Sequence, residues 1–339
     1  MVDVNVKLVA SKKTWLVTGC AGFIGSHIIE RLLSHGQTVR GLDNFATGHK
    51  INLEYVKKSV GAENWSRFTF VEGSLLDPSA VNEGMQGVDV VSHQAALGSV
   101  PRSIEEPINT VRSNVEGFMA VVKAAADLGV KRIVYASSSS VYGDHPKLPK
   151  VEETIGAALS PYAASKRSDE IFAEASANSY GIEFVGLRYF NIFGPRQDPE
   201  GAYAAVIPKW LDALLDGEKA VINGDPTISR DFTFVDNAVD ANILGGLACS
   251  DAVNTYYNIG NGGETSLAEL YDMIANLLLE LAAINEKPDP VIGSVRPGDV
   301  KHSLADISKA KKLLDYDAKV DVVNGMRRTV SWYKEQRSG

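Results

Sequence analysis

Cysteine is scarce in this chain: Cys20 and Cys249 are the only two among 339 residues. Two thiols so far apart outline neither a disulfide framework nor a metal cluster. An excess of positive charge is also missing. The formal net charge is -8 at pH 7, which argues against a general nucleic-acid or membrane-surface binder, since both need a basic face. A local basic pocket for a phosphorylated ligand stays compatible with that balance. No apolar run reaches membrane-spanning length. Met1 to Lys13 lacks the apolar length and cleavage site of a signal peptide, and reads as a lead-in to the first strand. Internal repeats, low-complexity tracts and flexible linkers are likewise absent. The expectation is a cytoplasmic globular protein with a large core.

What is present is alternation. Short apolar runs at Thr14–Thr18, Thr38–Leu42, Arg67–Val71, Val88–Ser92, Arg132–Ala136 and Glu183–Leu187 read as buried strands. Helical patterns lie between them, the longest at Ile108–Leu128 and Tyr162–Tyr180. This rhythm predicts an α/β fold, a doubly wound parallel sheet of the Rossmann type. It fades after about Asn191, so the division expected is a dinucleotide-binding domain over 1–190 and a smaller α/β substrate lobe over 191–339. The chain is expected to cross back to the first domain. In the second region Ser266-x-x-Glu269 is a capping box opening a helix.

The chemistry begins at Gly19-x-x-Gly22-x-x-Gly25, which follows a strand and opens a helix. Glycines there allow a tight turn and close backbone approach to a pyrophosphate at the helix N-terminus. A glycine triplet alone can be merely a turn. The preceding strand, the amphipathic helix and Asp43 at the end of the second strand give it meaning. A carboxylate at that point accepts the adenosine ribose hydroxyls and repels a 2′-phosphate, which favours NAD over NADP. About 140 residues later come Tyr162 and Lys166, one helical turn apart and on one helix face. Tyrosine is a poor base at neutral pH, and an adjacent ammonium favours its phenolate. The run Ser137-Ser138-Ser139-Ser140 lies at a strand end, where an α/β sheet places its active site. A single serine there can equally be a turn residue.

The glycine spacing, Asp43-Asn44, His93-Gln94-Ala95-Ala96 and Tyr162-x-x-x-Lys166 together resemble the extended short-chain dehydrogenase/reductase family across nearly the whole chain. The resemblance implies bound NAD, contacted by Gly19, Gly22, Phe23, Ile24, Gly25, Asp43, Asn44, Gly48, Ser74, Leu75, Gln94, Ala96, Lys166 and Tyr189. Ser74 departs from the pattern, since many relatives carry aspartate there for the adenine amino group. A hydroxyl still accepts a hydrogen bond, so a weaker adenine contact is expected. Ser138 matches the family's catalytic serine or threonine, beside Tyr162 and Lys166. Relatives that dehydrate nucleotide sugars carry an Asp-Glu pair where this chain has Ser139 and Ser140, and decarboxylating relatives also carry a glutamate. Oxidation and reduction through Tyr162 and NAD then remain, and return of hydride to the opposite face of a ketone gives an epimer.

The segments Ala96–Ser103, Leu187–Pro199 and Gly201–Trp210 further resemble the bacterial UDP-N-acetylglucosamine 4-epimerases that supply surface-polysaccharide precursors. This implies Gly98 and Ser99 at the N-acetyl group, and Ser139 and Ser140 lining the sugar pocket. Asn191, Arg230 and Arg296 are implied at the diphosphate, and Gln197, Ala205 and Asn223 along the UDP-sugar. Two arginines from separate loops suit a pyrophosphate, though either could instead form a surface ion pair. Ser303 matches a gating position, where a serine leaves room for an acetamido group. Rival readings are an epimerase of UDP-N-acetylglucosaminuronic acid, UDP-glucose or UDP-glucuronate, a net NAD-dependent dehydrogenase, and a non-catalytic NAD-binding protein. By the same resemblance a homodimer is expected, formed through the helices at 108–128 and 162–180.

Overall fold

Seven parallel strands carry the architecture. In the computed structural model, which describes residues 3–200, 204–294 and 302–338, they are β1 (Thr14–Thr18), β2 (Thr38–Asp43), β3 (Phe68–Glu72), β4 (Val90–His93), β5 (Arg132–Ser138), β6 (Glu183–Tyr189) and a last strand, Thr255–Ile259. Their order across the sheet is Thr255–Ile259, β6, β5, β4, β1, β2, β3. Every pairing is parallel. The order turns around between β1 and β4, and such a switch point opens a crevice at the carboxyl ends of the strands. This is the expected α/β Rossmann sheet.

The strand sequences are apolar without a clean alternation because both faces are covered. Along β1, Trp15 and Val17 point into one core and Leu16 into the other. Helices Phe23–Ser34 and Val235–Gly246 pack together over the first face, and Pro78–Met85 and Gly117–Leu128 cover the second. The sheet thus draws both a strand and a covering helix from beyond residue 190. The rest of that region forms short ribbons. Ser229–Arg230 lies between Thr265–Ser266, antiparallel, and His302–Ser303, parallel. Val221–Asn223 pairs with Val291–Gly293. The capping box forms as expected, with Ser266 and Glu269 satisfying each other's backbone N–H at the start of Leu267–Glu280.

Three local expectations need correction. The lead-in is not plain chain. Asp3 caps a helix, Val4–Ala10, whose Val4 and Leu8 are buried, a pattern too short to register as a periodicity. The helix expected over 108–128 runs unbroken from Pro107 to Leu128 but is not α throughout: Arg112–Glu116 makes a π-helical turn between Pro107–Val111 and Gly117–Leu128. Such a turn has no composition signature. The serine run does not follow β5 but begins inside it: Ser137 and Ser138 end the strand, and Ser139–Tyr142 form a 3₁₀ turn. Among the described residues no helix is long and apolar enough to cross a membrane.

Candidate active site

The glycine loop is shaped by contacts that no side chain would permit. Gly19 has φ +67°, and a Cβ there would meet the Ala95 backbone nitrogen at 2.8 Å; a Cβ on Gly25 would meet the Gly19 carbonyl oxygen at 2.1 Å. Gly22 caps helix Phe23–Ser34 with no side-chain acceptor on the first-turn N–H groups. Those amides, with the positive end of the helix dipole, form an anion site. Asp43 closes the loop from β2. Its carboxylate accepts hydrogen bonds from Ala21 N at 2.9 Å and Phe45 N at 2.8 Å. Burial raises its pKa, against the opposing pull of those N–H groups.

A cleft of about 710 Å³ runs from this loop over the strand ends. All fourteen residues expected at the dinucleotide line it: Gly19, Gly22, Phe23, Ile24, Gly25, Asp43, Asn44, Gly48, Ser74, Leu75, Gln94, Ala96, Lys166 and Tyr189. The volume and the donor set fit a dinucleotide: an amide cradle for a diphosphate, a carboxylate for a ribose, and a polar far end. Gln94 and Tyr189 are fixed by a network that the sequence reading did not find. Tyr189 donates to Gln94 Oε1 at 3.0 Å, and Asn242 donates to Tyr189 at 2.7 Å and accepts from Gln94 at 2.8 Å. No local signal pointed to it, because helix Val235–Gly246 also carries Asp236, Asn237 and Asp240, so a further polar residue does not stand out.

Ser138, Tyr162 and Lys166 line the same cleft. Tyr162 and Lys166 sit in the first turns of helix Pro161–Tyr180, whose start is fixed by Pro161 and by Ser160, which accepts from Ala163 N. Lys166 is 2% exposed and donates to the Ala136 carbonyl at 2.9 Å and to Asp169 Oδ2 at 3.3 Å. Ser138 Oγ accepts from Ser140 N at 3.1 Å, so the turn holds the hydroxyl at the strand end. Below it, Glu170 accepts from Ser137, from Arg167 and twice from Arg188, itself fully buried against Tyr142 and Tyr256. Asp169 and Glu170 were missed in sequence, although carboxylates three and four residues beyond a catalytic-type lysine share its helix face.

The remaining described candidates divide between two that line this cleft and others that are not among its lining residues. Gly98 and Asn191 line the cleft. Ser99, at φ +118°, caps helix Val100–Glu105 by accepting from Arg102 N. Ser139 and Ser140 occupy the 3₁₀ turn, and Ser140 Oγ is buried with no partner among the described residues. Gln197 donates to the Ile192 carbonyl, and its Oε1 is buried with no partner among the described residues. Ala205 caps helix Val206–Leu215. Asn223 ends its ribbon strand, and Ser303 lies in register with Arg230. Asp231, buried beside them, binds the N–H groups of Asn261, Gly262 and Ala305, which ties the loops together. Arg296 lies outside the described residues.

Comparison with known proteins follows the same lines. The sequence profile of the NAD-dependent epimerase/dehydratase family matches residues 15–260. A UDP-glucose 4-epimerase of Mycolicibacterium smegmatis is 35% identical over 323 residues, 95% of this chain and 98% of that protein. The structure of a UDP-N-acetylglucosamine 4-epimerase from Methanobrevibacter ruminantium, in complex with UDP-N-acetylmuramic acid, superposes with TM-score 0.87 at 35% identity, over 96% of this chain and 99% of that one. A UDP-glucuronic acid 4-epimerase from Bacillus cereus, in complex with UDP-glucuronic acid and NAD, gives TM-score 0.84 at 28% identity, over 95% and 99% of the two chains.

Proposed function

The chain belongs to the NAD-dependent epimerase/dehydratase family, and from that premise we propose that it interconverts UDP-N-acetylglucosamine and UDP-N-acetylgalactosamine at sugar carbon 4. Family membership makes it an NAD-dependent enzyme of the UDP-sugar epimerase type; the N-acetyl substrate is our reading. One observation carries the epimerase reading: Tyr162, Lys166 and Ser138 share one cleft with the glycine loop and Asp43, while positions 139 and 140 offer serines where an elimination would need an acid and a base.

When bound, NAD supplies a reversible hydride acceptor. Tyr162 takes the proton of the sugar 4-hydroxyl and gives it back, with Ser138 directing the hydrogen bond and the Lys166 ammonium favouring the phenolate. The 4-keto sugar turns about its diphosphate anchor between the two transfers. Asn191, Arg230 and Arg296 are proposed as that anchor, with Gln197, Ala205 and Asn223 along the nucleotide sugar and Gly98, Ser99, Ser139 and Ser140 around the sugar. Ser303, small and in register with Arg230, supports room for an acetamido group. Arg102, which lines the cleft, favours a second reading in which the sugar carries a C6 carboxylate. The proposal includes a homodimer, supported by exposed Ile108, Val111, Ile171 and Phe172 on the helices expected to pair.

The test is proton NMR of UDP-N-acetylglucosamine incubated with purified protein and no added NAD. UDP-N-acetylgalactosamine should accumulate. Conversion of UDP-glucose or a UDP-uronic acid in its place would overturn the substrate assignment, and stoichiometric consumption of supplied NAD would overturn epimerisation.

A further inference from the structure

Tyr162, Lys166 and Asp169 stand at spacings of four and then three along one helix, so they form a single stripe with the lysine in the middle. Lys166 and Asp169 are 2% and 1% exposed, and their charged atoms approach to 3.3 Å. The other carboxylate beside them, Glu170, is committed to Arg188, Arg167 and Ser137. Asp169 has no such cage: among the described residues its Oδ1 meets no donor. A buried carboxylate with one oxygen bare is costly, and here its partner is the ammonium proposed above to act on Tyr162.

We propose that Asp169 is a positioning residue of the reaction, holding the Lys166 ammonium from behind and offsetting with its own charge part of the stabilisation that this ammonium gives the Tyr162 phenolate. The idea rests on the reading of Tyr162 as the group that exchanges the substrate proton. Three features support it. The lysine is tethered at two points, the Ala136 carbonyl and Asp169, so its Nζ is placed rather than free to wander. The groups facing the pair from neighbouring strands are Tyr135 on β5 and His93 on β4. Both are fully buried and neutral near pH 7, with the tyrosine pushed up and the histidine down to about 3, so neither supplies a competing charge. Burial raises the Asp169 carboxyl itself to about 6, with Lys166 pulling the other way. The ammonium 3.3 Å away favours its ionised form, which adds a negative charge to the stripe.

The sign follows directly. An ionised Asp169 opposes a second negative charge on Tyr162, so its removal should let the phenolate form at lower pH. Seven residues of helix place the two groups ~10.5 Å apart along the axis. At an effective dielectric of ~20 that separation corresponds to about one pH unit.

The experiment is an ultraviolet titration of the tyrosine phenolate on NAD-loaded protein without substrate. The signal of Tyr162 is isolated by subtracting the matching Tyr162→Phe protein, in wild type and in Asp169→Asn. The midpoint should fall by about one pH unit in Asp169→Asn, and Asp169→Glu should restore it. In turnover the acid limb of kcat should move by the same amount while KM stays put. An unmoved midpoint in folded Asp169→Asn overturns the proposal. Failure of both Asp169→Asn and Asp169→Ser to fold also overturns it, by making the residue structural. Because the titration needs no substrate, its failure is distinguishable from failure to epimerise.

Discussion

Gly25→Ala probes the link between backbone packing and cofactor retention. A Cβ at residue 25 would sit 2.1 Å from the Gly19 carbonyl oxygen, where real contacts essentially never fall below 3.0 Å. Neither partner is a flexible side chain; one is the loop backbone and the other the first turn of helix Phe23–Ser34. The loop must open by about 1 Å, because a close-packed interior does not absorb the overlap. That shift moves the N–H groups of the first helical turn away from the position of a diphosphate. Loss of one hydrogen bond to a charged group costs roughly 1.5–3 kcal/mol, which is about 10- to 150-fold in affinity. Wild-type protein should purify with NAD, measured by acid release and chromatography. Gly25→Ala should purify largely without it and show the matching rise in Kd. Stoichiometric NAD and a wild-type Kd in a folded Gly25→Ala protein would refute the reasoning.

Four further outcomes are expected. Tyr162→Phe should lower kcat by about 10²- to 10⁴-fold while leaving bound NAD in place, read by steady-state kinetics and cofactor release. Ser303→Tyr should abolish turnover of N-acetylated UDP-sugars and spare UDP-glucose, if a small side chain there makes room for the acetamido group. Glu170→Gln leaves Arg188 buried beside a neutral partner, and should cost about 3–5 kcal/mol in urea unfolding; a loss under 1 kcal/mol would show that the network is slack. Burial raises the Asp231 carboxyl to about 6 from its ordinary 3.8. The folded state then keeps a proton that the unfolded chain has lost. Its contribution to stability is complete below pH 3.8 and disappears as pH rises through about 6. The stability gap between wild type and Asp231→Asn should therefore move against wild type over that window, and a gap flat with pH would contradict it.

Some parts of the site were legible before any coordinates because their chemistry is local. The glycine spacing, Asp43 at a strand end, and Tyr162 with Lys166 one turn apart are all set within a few residues, where backbone periodicity fixes who shares a face. The capping box at Ser266 and Glu269 is legible for the same reason. Asn242 was not, because it meets Gln94 and Tyr189 from 148 and 53 residues away in sequence. The helix Val4–Ala10 escaped because two buried residues over seven make no pattern, and the π-helical turn because one extra residue per turn leaves composition unchanged.

The sequence by itself determined the alternation that makes a parallel sheet, the loop that only glycine can form, and the face shared by a tyrosine and a lysine. Tertiary structure decided the rest. It placed Thr255–Ile259 at the sheet edge beside β6, and brought Ser303 into register with Arg230 across 73 residues. It also enclosed Lys166 with Asp169 away from water, so that a pair worth little on an exposed helix becomes a strong field in a low dielectric. The physical reason is one of range. Periodicity and sterics act between neighbours in the chain, whereas burial and long-range pairing exist only once the chain has folded on itself.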